Sequence, residues 1–143
     1  TERLLADPWF ARPAPKSTGI EYFNLDWLER RFGDRPPDAA VVQATLCELT
    51  AASVATAIAG SGAEDVLVCG GGVHNARLLE RLLERLPGVA VRSTADAGLH
   101  PDWVEAVLFA WLARERLADR SLDTRAVTGA KHPVMLGRVA RPV

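Results

Sequence analysis

The segment Val66-Leu67-Val68-Cys69-Gly70-Gly71-Gly72-Val73-His74-Asn75 decides how this chain folds. A short apolar run breaks into three glycines, and Leu78, Leu79, Leu82, Leu83 and Leu86 follow at helical spacing on one face. That order is strand, tight turn, helix. Three glycines in a row remove three side chains, so the backbone can take positive φ and a flat ligand or a phosphate can approach closely. A βα turn packed tightly for structural reasons would look the same, and the glycines alone leave both readings open. Asn75 is placed to cap the helix, which spans roughly 76–86. Its outer face carries Arg77, Glu80, Arg81, Glu84 and Arg85, read as i,i+4 pairs on a solvated surface with no functional role. Pro87-Gly88 stops the helix, and residues 89–93 read as a second strand.

Working upstream, Gly60-Ser61-Gly62 ends a long helix over about 39–59, capped by Asp38, with Val42, Leu46, Leu49 and Ala57 turned inward. Its alanines and small hydroxyl residues suit close packing. Asp34-Arg35-Pro36-Pro37 is a linker. Before it, residues 24–32 form a short amphipathic helix with Leu25, Leu28 and Phe32 on one face and Gly33 at its end. Residues 1–19 lack helical or strand periodicity, and their prolines favour an extended, ordered loop. Trp9 and Phe10 side by side place that loop against a surface. Thr18 and Glu21 have capping-box spacing for a short helix. Lys16, Ser17, Thr18 and Gly19 could bind a phosphate or a sugar hydroxyl, but the residues themselves favour a capped turn with a solvated lysine.

Downstream, Thr94 to Pro101 is a loop leading to Asp102, the expected N-cap of the last long helix. From Trp103 to Ala113 that helix is apolar on every side except at Glu105, the pattern of a buried helix. A carboxylate there is costly without a partner, so Glu105 should face a charged group or a ligand. The tail is mixed and polar, with 133–139 suited to a final short strand.

The totals bound the function. The chain has 143 residues, 48% hydrophobic and 24% charged, with a formal net charge of −1. That is one ordinary domain with no electrostatic case for nucleic acid or an anionic membrane as partner. Cys47 and Cys69 form no Cys-x-x-Cys motif and read as small buried apolar residues, which fits a reducing, cytoplasmic setting. No apolar run is expected to approach membrane-spanning length. His74, His100 and His132 lack metal-ligand spacing, and His74 reads as a surface residue at a helix start. There is no Walker A loop and no nucleophile elbow. Gly70-x-Gly72 matches half of the dinucleotide fingerprint, but Asn75 stands at the third glycine position. A dinucleotide-binding Rossmann-like domain, with Arg92 or Asp96 at the ribose, is one alternative. A non-enzymatic interaction module from a split gene is another. On residues alone the chain is a nucleotide- or sugar-binding α/β domain.

An ordered series of blocks narrows this. It runs from Arg12-Pro13-Ala14-Pro15-Lys16-Ser17-Thr18-Gly19 with Glu21, through Phe23-Asn24 with Trp27-Leu28, to Asp38–Thr50 including Gln43-Ala44-Thr45-Leu46. It continues with Val68-Cys69-Gly70-Gly71-Gly72 and Asn75, then Glu105-Ala106 with Phe109-Ala110-Trp111-Leu112-Ala113, then Val127-Thr128-Gly129-Ala130 with Leu136-Gly137. The series covers nearly the whole chain and resembles the C-terminal half of the anhydro-N-acetylmuramic acid kinase family, in the actin/hexokinase-like ATPase superfamily.

The resemblance implies an α/β, ribonuclease H-like lobe, with a partial sheet flanked by helices. It implies residues 1–37 as a loop and short helix at a domain junction, and 38–143 as a nucleotide-contacting core. It also implies use of ATP and Mg²⁺ to open the 1,6-anhydro ring of the amino sugar with water and phosphorylate O6, in cytoplasmic cell-wall recycling. Gly70, Gly71, Gly72 and Asn75 would bind nucleotide. Glu105 and the Lys16, Ser17, Thr18 and Gly19 loop would contact substrate, although Ile20 stands where the family usually has Arg. The family's N-terminal phosphate loop and catalytic Asp have no counterpart here. No catalytic residue is therefore expected in this chain, which should be inactive alone and need a missing N-terminal lobe as partner. An exposed junction would also favour a homodimer.

Overall fold

A computed structural model describes residues 1–34 and 36–140. Asp38 Oδ1 accepts from the Ala40 amide at 2.8 Å, opening helix α3 (Ala39–Ala59), which ends at Gly60. Strand β1 (Asp65–Val68), helix α4 (Ala76–Arg85) and strand β2 (Ala90–Ser93) follow. The strands pair in parallel, Asp65 opposite Ala90 and Val68 opposite Ser93. This is one βαβ unit, as the strand–turn–helix pattern requires. Ala51 and Ala55 of α3 meet Leu82 of α4 and Leu86 at its C-cap in a core joined by Ile58, Val66, Leu78, Val89 and Val91. The inward face of α3 is thus its alanine stripe with Leu49, and Ala57 is exposed, contrary to the sequence expectation. Leu83, expected inside, is also exposed.

The arginines of α4 are not merely a solvated face. Arg81 Nε donates to Glu48 of α3 at 2.5 Å, and Arg85 donates to the same carboxylate. Hydrogen bonds from Arg81 and Arg85 outweigh the burial that opposes them and hold the Glu48 carboxyl at about 2. A folded-state value below the unfolded one stabilises above the unfolded pKa, and that contribution is lost as pH falls through the folded value. Glu48→Gln is expected to lower stability by about 1 kcal/mol near neutrality and to narrow the loss between about pH 4.5 and 2, read by thermal melts. Apart from this glutamate, α3 carries no charged residue. It meets the length and composition of a membrane span, at a mean hydropathy of 1.5, which corrects the expectation that no run does.

The N-terminal segment packs on the first half of α3. Helix α1 (Glu2–Leu5) forms where an extended loop was expected, and helix α2 (Leu25–Phe32) is capped by Asn24, whose Oδ1 accepts from Trp27 N at 2.9 Å. Trp27 is the buried residue of α2, whereas Leu25, expected to face inward, is 74% exposed. The reason is the indole: Trp27 Nε1 donates to Asp7 Oδ2 at 2.8 Å and so turns the helix. Leu4, Trp27 and Leu49 form this second core, with Phe10 and Phe23 against it. The linker at Asp34–Pro37 includes Arg35, which lies outside the described residues.

Helix α5 (Val104–Leu117) departs furthest from expectation. Phe109 is 64% exposed, and Val107, Leu108 and Trp111 are exposed too. Its most buried residue is Glu115, held by Arg114 Nη2 at 2.9 Å and by Arg120. The physical reason lies in the sheet. Two strands covered by α3 and α4 on one face leave the other face, with Leu67, open, and among the described residues α5 is flanked near its C-terminal end by residues 136–139 while Phe109 and Trp111 stay exposed. The tail forms helix α6 (Arg125–Thr128) and one antiparallel bridge, Leu122 to Val134, in place of the expected strand.

Candidate functional site

The glycine turn stands at the C-terminal end of β1. Cys69 is extended, and Gly70 takes φ +66, a left-handed conformation that side chains disfavour. Gly70–His74 then winds as one 3₁₀ turn, and Asn75 Oδ1 accepts from Leu78 N at 3.1 Å to start α4. A Cβ added at Gly70 or Gly71 would meet nothing within 4 Å, and one at Gly72 would touch only Leu78 Cδ2 at 3.7 Å. Cys69, expected to be buried, is exposed.

The connection after β2 ends beside this turn. A 3₁₀ turn over Thr94–Ala97 reverses at Gly98, φ +83, and a second over Pro101–Trp103 runs into α5. Residues 70–74 pack against 101–103. His74 Nε2 lies 2.9 Å from Asp102 Oδ1; the carboxylate accepts, so the imidazole donates. Asp102 is not the N-cap expected. Trp103 stands at that position of α5, and His100 caps the preceding 3₁₀ turn, its Nδ1 accepting from the Asp102 amide at 3.3 Å. Sequence spacing had separated these histidines, and only the parallel pairing of β1 and β2 makes them neighbours. Glu105 follows in the first turn of α5, exposed, with no side-chain partner among the described residues.

The Lys16–Gly19 loop lies elsewhere, against the aromatic core. Lys16 Nζ donates to Phe10 O at 2.8 Å and sits 4.6 Å from the Trp9 ring centre. The lysine is therefore tied to its own loop. No helix starts at Thr18: the amides of Tyr22 and Phe23 donate to Gly19 O in a turn, and a Cβ on Gly19 would collide with Glu21. Thr18 borders a groove of about 530 Å³ with Phe23, Trp27 and Leu46. Gly129 meets Pro15 at the back of the loop. Ser17 is exposed. The structure thus brings the glycine turn beside the start of α5 and leaves residues 16–19 apart from them.

Sequence reasoning missed the polar centre of the N-terminal core, Asp7. Asp7 is 1% exposed and accepts from Trp27 Nε1, Tyr22 Oη at 2.8 Å, the Trp9 amide at 2.9 Å and Arg31 at 2.5 Å. It lies in the stretch read as an extended loop, where no role was expected of it. The signal available was a tryptophan, a tyrosine and an arginine around α2, all of which need acceptors when packed.

Among the described residues no group of three His, Cys, Asp or Glu side chains could hold a metal ion. The Mg²⁺ implied by the resemblance has no cage in this part of the chain.

Two parallel strands joined through a helix, with a glycine turn at the C-terminal end of the first, make this an α/β chain. A profile of the family "Anhydro-N-acetylmuramic acid kinase" matches residues 1–142, and the chain belongs to that family. An anhydro-N-acetylmuramic acid kinase of Xanthomonas oryzae pv. oryzae is 57% identical over 140 residues, covering 96% of this chain and 37% of the relative. Those of Pseudomonas fluorescens (50% identical, 95% of this chain and 38% of the relative) and Coxiella burnetii (44%, 96% and 37%) align similarly. The chain thus spans little more than a third of these relatives' length. The dinucleotide-binding and interaction-module alternatives find no support: every relative named is a kinase, and among the described residues no third strand follows β2.

Proposed function

We propose that this chain is the C-terminal, nucleotide- and sugar-contacting part of an ATP-dependent anhydro-N-acetylmuramic acid kinase. In that reaction water opens the 1,6-anhydro ring while the γ-phosphoryl group of ATP passes to O6. The observation that carries the reading is Gly71. It lacks a left-handed φ, and a Cβ there would meet nothing within 4 Å among the described residues, so the local fold itself does not require a glycine. What gains from its absence is something outside, and a nucleotide lying on Gly70, Gly71 and Gly72 is that partner in this family. Asn75 already gives its oxygen to the α4 cap, leaving its amide N–H₂ for the ligand. Glu105 would face the same opening from α5. Ser17, Thr18 and Gly19 are offered to the sugar more weakly, and Lys16 chiefly orders that loop.

The fold assigned with this function is one lobe of ribonuclease H-like ATPase type, with 1–37 at the junction and 38–143 as the core, in a cytoplasmic enzyme. Its partner is the remaining part of the kinase, which would supply the phosphate loop and catalytic base and cover α5. A homodimer through α5 is the competing occupant. Mg²⁺ would arrive on the nucleotide phosphates, and no residue described here is assigned to it.

The test is a rebuilt enzyme: the part of the Xanthomonas oryzae relative that precedes the match, joined ahead of Thr1. Purified, it should phosphorylate anhydro-N-acetylmuramic acid with ATP, while residues 1–143 alone should not. A rebuilt, folded enzyme without that activity overturns the proposal, and activity of the short chain overturns its dependence on a partner.

A further inference from the structure

We infer that His74 and Asp102 are positioning residues, forming a clasp that holds the glycine turn against the start of α5. The inference rests on the kinase reading above and concerns how that site is kept in shape. His74 ends the 3₁₀ turn that carries Gly70–Gly72, and Asp102 lies three residues before Glu105. Their 2.9 Å hydrogen bond is the side-chain link between the two connections that leave β1 and β2.

Stability does not account for the pair. The side chains are 62% and 47% exposed, and an exposed pair contributes little to folding. Nor does local capping account for it. Asp102 sits where a carboxylate could cap α5, yet Trp103 is the N-cap and no side chain serves there. The cap of the preceding 3₁₀ turn comes from His100. The Asp102 carboxylate reaches across to the other connection instead. His100 Nδ1, already accepting from the Asp102 amide, stays 4.0 Å from its carboxylate and leaves it to His74.

The geometric consequence is specific. Glycines give the turn its open surface and also its freedom to move, since three residues without Cβ resist little. A directional bond at the end of the turn fixes where that surface lies relative to Glu105. If Gly70–Gly72 lie under the nucleotide and Glu105 faces the acceptor side, the clasp sets nucleotide placement while touching neither ligand.

The test uses the rebuilt full-length enzyme. His74→Ala and Asp102→Ala should each raise the KM for ATP by about tenfold, with the KM for sugar unchanged and melting temperatures near wild type. The double variant should be no worse than either single one, because both remove the same bond. Asp102→Asn keeps an oxygen that accepts from the imidazole and should recover most of the lost ATP affinity. An active enzyme whose ATP KM is unmoved by Asp102→Ala, or in which the two changes add as independent effects, overturns the clasp and leaves the kinase reading standing. A rebuilt wild type with no activity overturns both.

Discussion

Gly71→Val in the rebuilt kinase is expected to weaken ATP binding by at least about a hundredfold while leaving the melting temperature within a few degrees of wild type. Both halves follow from the same geometry. The Cβ that valine introduces meets nothing within 4 Å, and Gly71 does not have the left-handed φ of Gly70, so the fold tolerates it. The branched side chain then stands where a nucleotide would lie flat on the backbone. Losing close contact and the polar groups it satisfies removes several kilocalories of binding, of order 3 kcal/mol. Gly70→Val is the informative control, since it adds backbone strain of about 1–3 kcal/mol and should lower stability as well. Calorimetric titration with ATP and thermal melts on the same samples separate the effects. Wild-type affinity in Gly71→Val would move the nucleotide away from this turn.

The second large effect is on folding. Asp7→Ala should destabilise the protein by about 3 kcal/mol, because it strands the Trp27 indole N–H, the Tyr22 hydroxyl and the Arg31 guanidinium at once. Burial alone would raise the Asp7 carboxyl, but hydrogen bonds from Trp27, the Trp9 amide and Tyr22, with the Arg31 charge, bring it down to about 2 from 3.8. A depressed folded-state value stabilises above the unfolded pKa and is lost as pH falls through the folded one. Wild type should therefore lose about 2 kcal/mol from this group between roughly pH 4 and 2, and Asp7→Ala should lack that component. Glu48 titrates in the same window, so the difference between wild type and variant is the quantity to measure. Denaturant unfolding at several pH values gives it. Equal stability of the two proteins at neutral pH would remove Asp7 from the centre of its core.

The sequence spoke clearly where the information was local. Asp38, a run of small apolar residues and Gly60 bounded α3 at both ends, because caps and stops act within a few residues. The strand–glycine–helix order around Gly70 was equally plain. Burial was harder, since periodicity says which residues share a face but not what covers it. Residues 103–113 are apolar enough for a core, yet α5 stands mostly bare. The polar partnerships were hidden by separation along the chain. His74 and Asp102 meet only because β1 and β2 run parallel, and Asp7 reaches Arg31 across α2. Lys16 looked free for a ligand because the carbonyl of Phe10 cannot be seen to point at it in one dimension.

Helix α3 serves both cores at once. Its first half joins Leu46 and Leu49 to the aromatic segment, and its second half joins Ala51 and Ala55 to the βαβ unit. A single continuous rod with two separate attachments allows sub-global opening at either end without loss of the other. In such an arrangement residues 1–34 would open from α3 separately from α4 and the strands. The loop at residues 16–19 and the glycine turn would then fluctuate independently, though one helix carries both.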